Sequence, residues 1–232
     1  MNMTRYFLIL ILTLIAVSPL LAQDGGVITD PDEIPDDFVW SITRYSGTAD
    51  DLVDVIGEDL QRGYLPVGFE ADPDISLLLI QDDTIPFTRW RIHEFTNPTE
   101  LEAEMNGFLV EGWLPMDIAR TQNGIAALFI ETEFAINGWR IVASEATDDA
   151  LTQTIENLQN DGLTIWGASL DGEGIWLLAV REIGGVPRVT QYANYRDEPE
   201  QVRLAVNESL LAGWIPWGLS LAGGRVFVTY LR

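Results

Sequence analysis

The chain holds few side chains that could do chemistry. It has one histidine, His93, no cysteine and no lysine. A Ser-His-Asp triad needs a serine presented on a Gly-x-Ser-x-Gly elbow, and the nearest stretch, Gly167-Ala168-Ser169-Leu170-Asp171, breaks that pattern. His93 falls inside Trp90–Phe95, a segment read as a strand, and the matching place one repeat later is Val142. A surface or hydrogen-bonded strand histidine accounts for it. With one histidine and no thiol, a zinc or copper site would rest on carboxylates, so no metal and no cofactor is expected. Carboxylate pairs could hydrolyse a glycosidic bond. The chain has 36 acids, so some pair lies at a suitable distance by chance. Asp72 with Asp74 and Asp171 with Glu173 sit where hairpin turns are expected, and turn chemistry explains both. Asp30-Pro31-Asp32-Glu33 lacks the alternating ligands and turn glycine of an EF-hand loop. No glycine-rich segment precedes a helix as a phosphate loop would.

Tryptophan is the residue type with the most binding potential, eight in all. Trp40, Trp90 and Trp139 share one repeat position, Trp113 and Trp214 share a second with Tyr64, and Trp166 and Trp217 share a third with Val67 and Met116. Repetition at apolar positions is what core packing requires. The candidate ligand-binding residues are Trp113 and Trp214, whose indole edges come just past helix ends; no catalytic residue is assigned.

These positions belong to a repeat. Gly63-Tyr64-Leu65-Pro66 returns as Gly112-Trp113-Leu114-Pro115 and Gly213-Trp214-Ile215-Pro216, with a divergent copy at Gly162-Leu163-Thr164-Ile165. The glycines are 49, 50 and 51 residues apart, which marks a tandem repeat. In the second copy Asn97-Pro98-Thr99-Glu100 starts a helix, with Asn97 as N-cap, proline at the first turn and Glu100 as in a capping box. Leu101, Met105, Phe108 and Leu109 lie on one helical face. Gly112 ends the helix and Pro115 prevents its return. Asn123-Gly124 is a hairpin signal between two strands. The other helices are expected from caps Thr48, Thr147 and Asp197.

The expected fold is α+β: four β-α-β-β units of about 50 residues (38–86, 87–136, 137–186, 187–232) in one pseudo-fourfold, mostly antiparallel and closed domain. Three-strand meanders would alternate with helices, and the first strand would complete a set with the last two, joining the ends and removing sheet edges. Two lobes of two repeats each is the alternative, and a four-bladed α/β ring is a variant of the first reading.

Residues 1–22 read as a signal peptide: Arg5, the apolar run Phe7–Val17, then Leu20-Leu21-Ala22 before Gln23. The run is shorter than the roughly 20 residues that span a bilayer, so no stable insertion is expected after cleavage, with an uncleaved N-terminal anchor as the alternative. Residues 23–37 are acidic, rich in proline and glycine, and read as a flexible linker; 38–232 is the repeat domain. The net charge of −23 repels nucleic acid and keeps an exported protein dispersed. The lack of cysteine excludes disulfides and zinc-thiolate sites.

The Gly-aromatic-x-Pro strand start after a helix, followed by an apolar strand such as Ile125–Ile130, resembles the bacterial tandem-repeat modules beside serine beta-lactamase-like hydrolases, including the polyglycine hydrolases. The resemblance covers roughly Phe38–Arg232. It implies an accessory recognition role and transfers no catalytic residue, because the hydrolase's Ser-x-x-Lys motif needs a lysine. The repeats, the signal peptide and the poverty of catalytic side chains make the expected function a secreted non-catalytic binding or scaffold module for a protein, peptide or glycan. A secreted carboxylate-dependent hydrolase acting on glycans is the alternative. Mass spectrometry of the exported protein should find Gln23 at its amino terminus; a chain beginning at Met1 would refute the signal reading.

Overall fold

The computed structural model describes residues 26–28, 40–45, 53–71, 74–82, 85–171 and 174–232. The signal peptide, most of the linker, the Thr48 cap and the turn acids Asp72 and Glu173 lie outside these. The described residues form four units, each strand, helix, strand, strand. Unit one is β2 (Trp40–Tyr45), α1 (Val53–Gln61), β3 (Tyr64–Glu70) and β4 (Ile75–Gln81). Unit two is β5 (Arg89–Phe95), α2 (Pro98–Val110), β6 (Trp113–Thr121) and β7 (Gly124–Glu131). Unit three is β8 (Ile136–Glu145), α3 (Asp148–Asn160), β9 (Thr164–Asp171) and β10 (Gly174–Glu182). Unit four is β11 (Thr190–Arg196), α4 (Pro199–Leu211), β12 (Ile215–Ala222) and β13 (Arg225–Leu231). A short β1 (Gly26–Ile28) runs parallel to β2, within the stretch read as a linker.

The α+β class and the repeated units agree with the sequence; the sheet membership does not. Each unit builds its own antiparallel sheet in the order first, third, second strand, as in β5-β7-β6. No meander joins neighbouring units among the described residues, and β2 pairs with β4 rather than with the last two strands. The physical reason lies in the third strands. Ile75–Ile80 in β4, Ile125–Ile130 in β7, Ile175–Val180 in β10 and Val226–Leu231 in β13 are near-continuous apolar runs, buried over most of their length. A strand of this kind belongs in the middle of a sheet, with neighbours on both sides. The helix then carries the chain from the first strand to a second strand parallel to it, two places away.

The helix ends follow the repeat glycine. Gly63, Gly112, Gly162 and Gly213 have φ between +81° and +91°, where a Cβ is strained. After α3, Gly162 N–H bonds Gln159 O and Leu163 N–H bonds Leu158 O, the Schellman pattern. At the helix starts, Asn97 and Thr147 cap α2 and α3. Glu100 reaches back to the N–H of Thr96 rather than of Asn97. Asp197 does not cap α4. Its carboxylate pairs with Arg44 of unit one, and Glu198 takes the cap position ahead of Pro199 without a side-chain bond.

Every second strand carries a β-bulge at the same place: Val67, Met116, Trp166 and Trp217, all buried. The second strands are edge strands of their own sheets, and they pack on one another: β3 against β6 and β12, and β9 against β6 and β12. Trp40, Trp166 and Trp217 are core residues, whereas Trp90 and Trp139 are half-buried.

Two sets of variants check the helix ends and the core. Gly63→Val, Gly112→Val and Gly213→Val should each lower stability by about 1–2 kcal/mol in denaturant unfolding. Trp40→Ala should cost about 3–5 kcal/mol, and Trp139→Ala clearly less. Equal costs for the two tryptophans, or a neutral glycine variant, would contradict the packing described.

Candidate functional site

The free edges of the second strands meet one another, and an edge strand leaves backbone N–H groups without ladder partners. One side chain meets them. Asp117, fully buried, accepts from Phe69 N (2.7 Å) and Leu219 N (3.1 Å) through Oδ2, and from Ile118 N (2.8 Å) and Ala168 N (3.0 Å) through Oδ1. Each unit supplies one donor. The positions matching Asp117 are Gly68, Gly167 and Gly218. A Cβ on Gly167 would lie 2.3 Å from Asp117 Oδ1, so only glycine leaves room for the carboxylate. Burial pushes the Asp117 carboxyl well above the usual carboxylate range, and the four N–H groups act in the opposite sense. A proton on either oxygen would face two N–H donors, so the bonding geometry is that of the anion.

Two residues further along, a second set of bonds joins the units. Arg120 N–H donates to Ser169 Oγ (2.7 Å), Leu170 N–H to Ser220 Oγ (3.0 Å), and Leu221 N–H to Glu70 Oε2 (2.8 Å). The matching residue of unit two is Ala119, which has no side-chain acceptor. Glu70 covers that gap by accepting from Ala71 N–H with Oε1.

At the periphery, the first-strand tryptophans of two units bond helices of other units. Trp139 Nε1 donates to Asn106 of α2 (3.0 Å), and Trp40 Nε1 to Asn207 of α4 (2.8 Å). Both asparagines stand six residues before the repeat glycine. Between units one and two that position is Gly57, facing Trp90. An open cleft of about 700 Å³ lies there, lined by Gly57, Gln61, Phe87, Thr88, Trp90 and Trp113 among others. Arg89, also in the lining, is held by two bonds to Glu131 (2.5 and 2.6 Å). With Thr88 it keeps the pKa of the Glu131 carboxyl at about 2.

The residues singled out from the sequence fall in different places. Trp113 lines the cleft but is 8 % exposed, and the Arg91 guanidinium lies 4.1 Å from its ring. Trp214 is half-buried beneath Arg232, 4.7 Å away, in unit four. The two are not brought together. His93 is exposed on β5 and touches the rings of Phe95 (4.8 Å) and Phe108 (5.3 Å). Among the described residues no group of three or more His, Asp or Glu could hold a metal ion. Sequence reasoning missed Asp117, Glu70 and Gly57. The available signal was register: Asp117 replaces a glycine of the other copies, and Gly57 replaces an asparagine of two.

Asp117→Asn should cost about 3–5 kcal/mol, because an amide NH₂ would point at two of the four N–H donors. Chemical denaturation checks it, and an unchanged midpoint would show that the four bonds contribute little. No protein-family model matches the chain, and no curated protein matches it either.

Proposed function

We propose that the protein is a secreted, non-catalytic binding or scaffold module, built as a closed arrangement of four units. One observation carries this reading: the buried carboxylates are occupied by the backbone. A buried acid is ordinarily a candidate catalytic group. Here Asp117 and Glu70 accept N–H groups from neighbouring units. Their task is to join repeats, and neither is offered to a substrate. Closure is supported by the bonds from unit four to unit one, since Trp40 meets Asn207 as Trp139 meets Asn106. Export is supported by the apolar amino-terminal run and by the acidic composition. Among the described residues no helix is long and apolar enough to cross a membrane.

Incubation of the exported protein with soluble polysaccharides and with peptides should release neither reducing ends nor new amino termini above the buffer level. Release that disappears on substitution of a carboxylate would replace this reading with a hydrolase.

A further inference from the structure

Two joints between units carry an indole–asparagine bond that a third, between units one and two, lacks. Where Asn106 and Asn207 bond the indole of the next unit, Gly57 offers no side chain, and the indole N–H of Trp90 has no partner among the described residues. The cleft lies at that interface, and its volume falls within the roughly 300–1,000 Å³ of small-molecule sites. We propose that this cleft is a ligand site and that it takes a neutral sugar residue of an oligosaccharide. The inference rests on the binding-module reading.

The lining argues for that class. Trp90 and Phe87 are half-buried and line the cleft, and aromatic rings of this kind can cover the C–H face of a pyranose. The Trp90 N–H, the Gln61 amide and the Thr88 hydroxyl oxygen are neutral donors and acceptors suited to sugar hydroxyls, which both donate and accept. The charge of Arg89 is met by Glu131, so the described lining keeps no bare cation for an anionic ligand, and the net charge of −23 repels one. A cationic peptide would call for several carboxylates, and among the described residues Asp82 is the one acid of the lining.

The test uses the exported protein, titrated with cellotriose, maltotriose, chitotriose and mannotriose by calorimetry and tryptophan fluorescence. At least one should bind with a dissociation constant of about 1 mM or tighter. Gly57→Asn should supply the missing bond to Trp90, since a Cβ there would stand 3.9 Å from Nε1. That variant should keep or raise the melting temperature and lose roughly tenfold or more in affinity. Trp90→Phe, which keeps a ring and removes the N–H, should bind more weakly than the parent. Binding of none of the four sugars overturns the inference and leaves the binding-module reading standing for another ligand. Sugar binding unchanged in Gly57→Asn moves the site elsewhere and overturns the cleft. Binding of an oligo-arginine peptide that Gly57→Asn abolishes keeps the cleft and overturns the ligand class. Hydrolysis of a bound sugar overturns the function reading itself.

Discussion

The structure depends on one buried carboxylate. Four edge strands converge, one from each unit, and each turns an N–H inward where no ladder partner exists. An unpaired buried N–H costs roughly 1–3 kcal/mol, so four together would threaten the stability of a domain this size. Asp117 meets all four with two oxygens. Neutral side chains cannot do this: a serine has one oxygen, and an amide brings donors of its own. Burial of the charge opposes that capacity, and the partners of the carboxylate are backbone N–H groups rather than a cation. Local dipoles take the cation's role, as they do where backbone N–H groups gather around an anion.

A single hub also explains how the repeats differ. Where the four second strands meet, four identical side chains would collide. One copy keeps the aspartate, and the matching positions are glycines. A Cβ on Gly167 would strike the carboxylate itself, one on Gly68 would lie 2.7 Å from Leu219 Cβ, and one on Gly218 would lie 2.5 Å from Thr229 Oγ1. The serine and glutamate bonds two residues on show the same division. Ser169 and Ser220 each accept one backbone N–H, Ala119 has no group to accept with, and Glu70 accepts two. Divergence between copies is thus forced by packing at the centre. At the periphery it is free, and there the change from asparagine to glycine at Gly57 leaves an opening instead of a bond.

The arginines complement this acidic chain in a local way. Arg44 joins unit one to Asp197 of unit four, Arg89 fixes Glu131, and Arg91 and Arg232 lie over tryptophan rings. A planar guanidinium can stack and bond at once, which a lysine ammonium cannot. An acidic composition therefore coexists with specific cationic contacts, one of them at a joint between units.

Local signals in the chain were enough to establish the units, their helices and their strands. A glycine needing positive φ, a proline three residues later and an Asn-Gly turn act within a few residues, so they are legible without the fold. The apolar character of the third strands was equally legible. Which strands share a sheet was not, because the same β-α-β-β pattern suits a meander between units or a sheet within one. That choice was made in three dimensions, by placing the most apolar strand in the middle. Folding likewise made Asp117 a hub rather than a surface acid and paired Asp197 with Arg44 instead of capping α4. It also put Trp113 under Arg91 while Trp90 faces a cleft. Each of these outcomes depends on residues some 20 to 150 positions apart meeting in space, a long-range relation that no local spacing encodes.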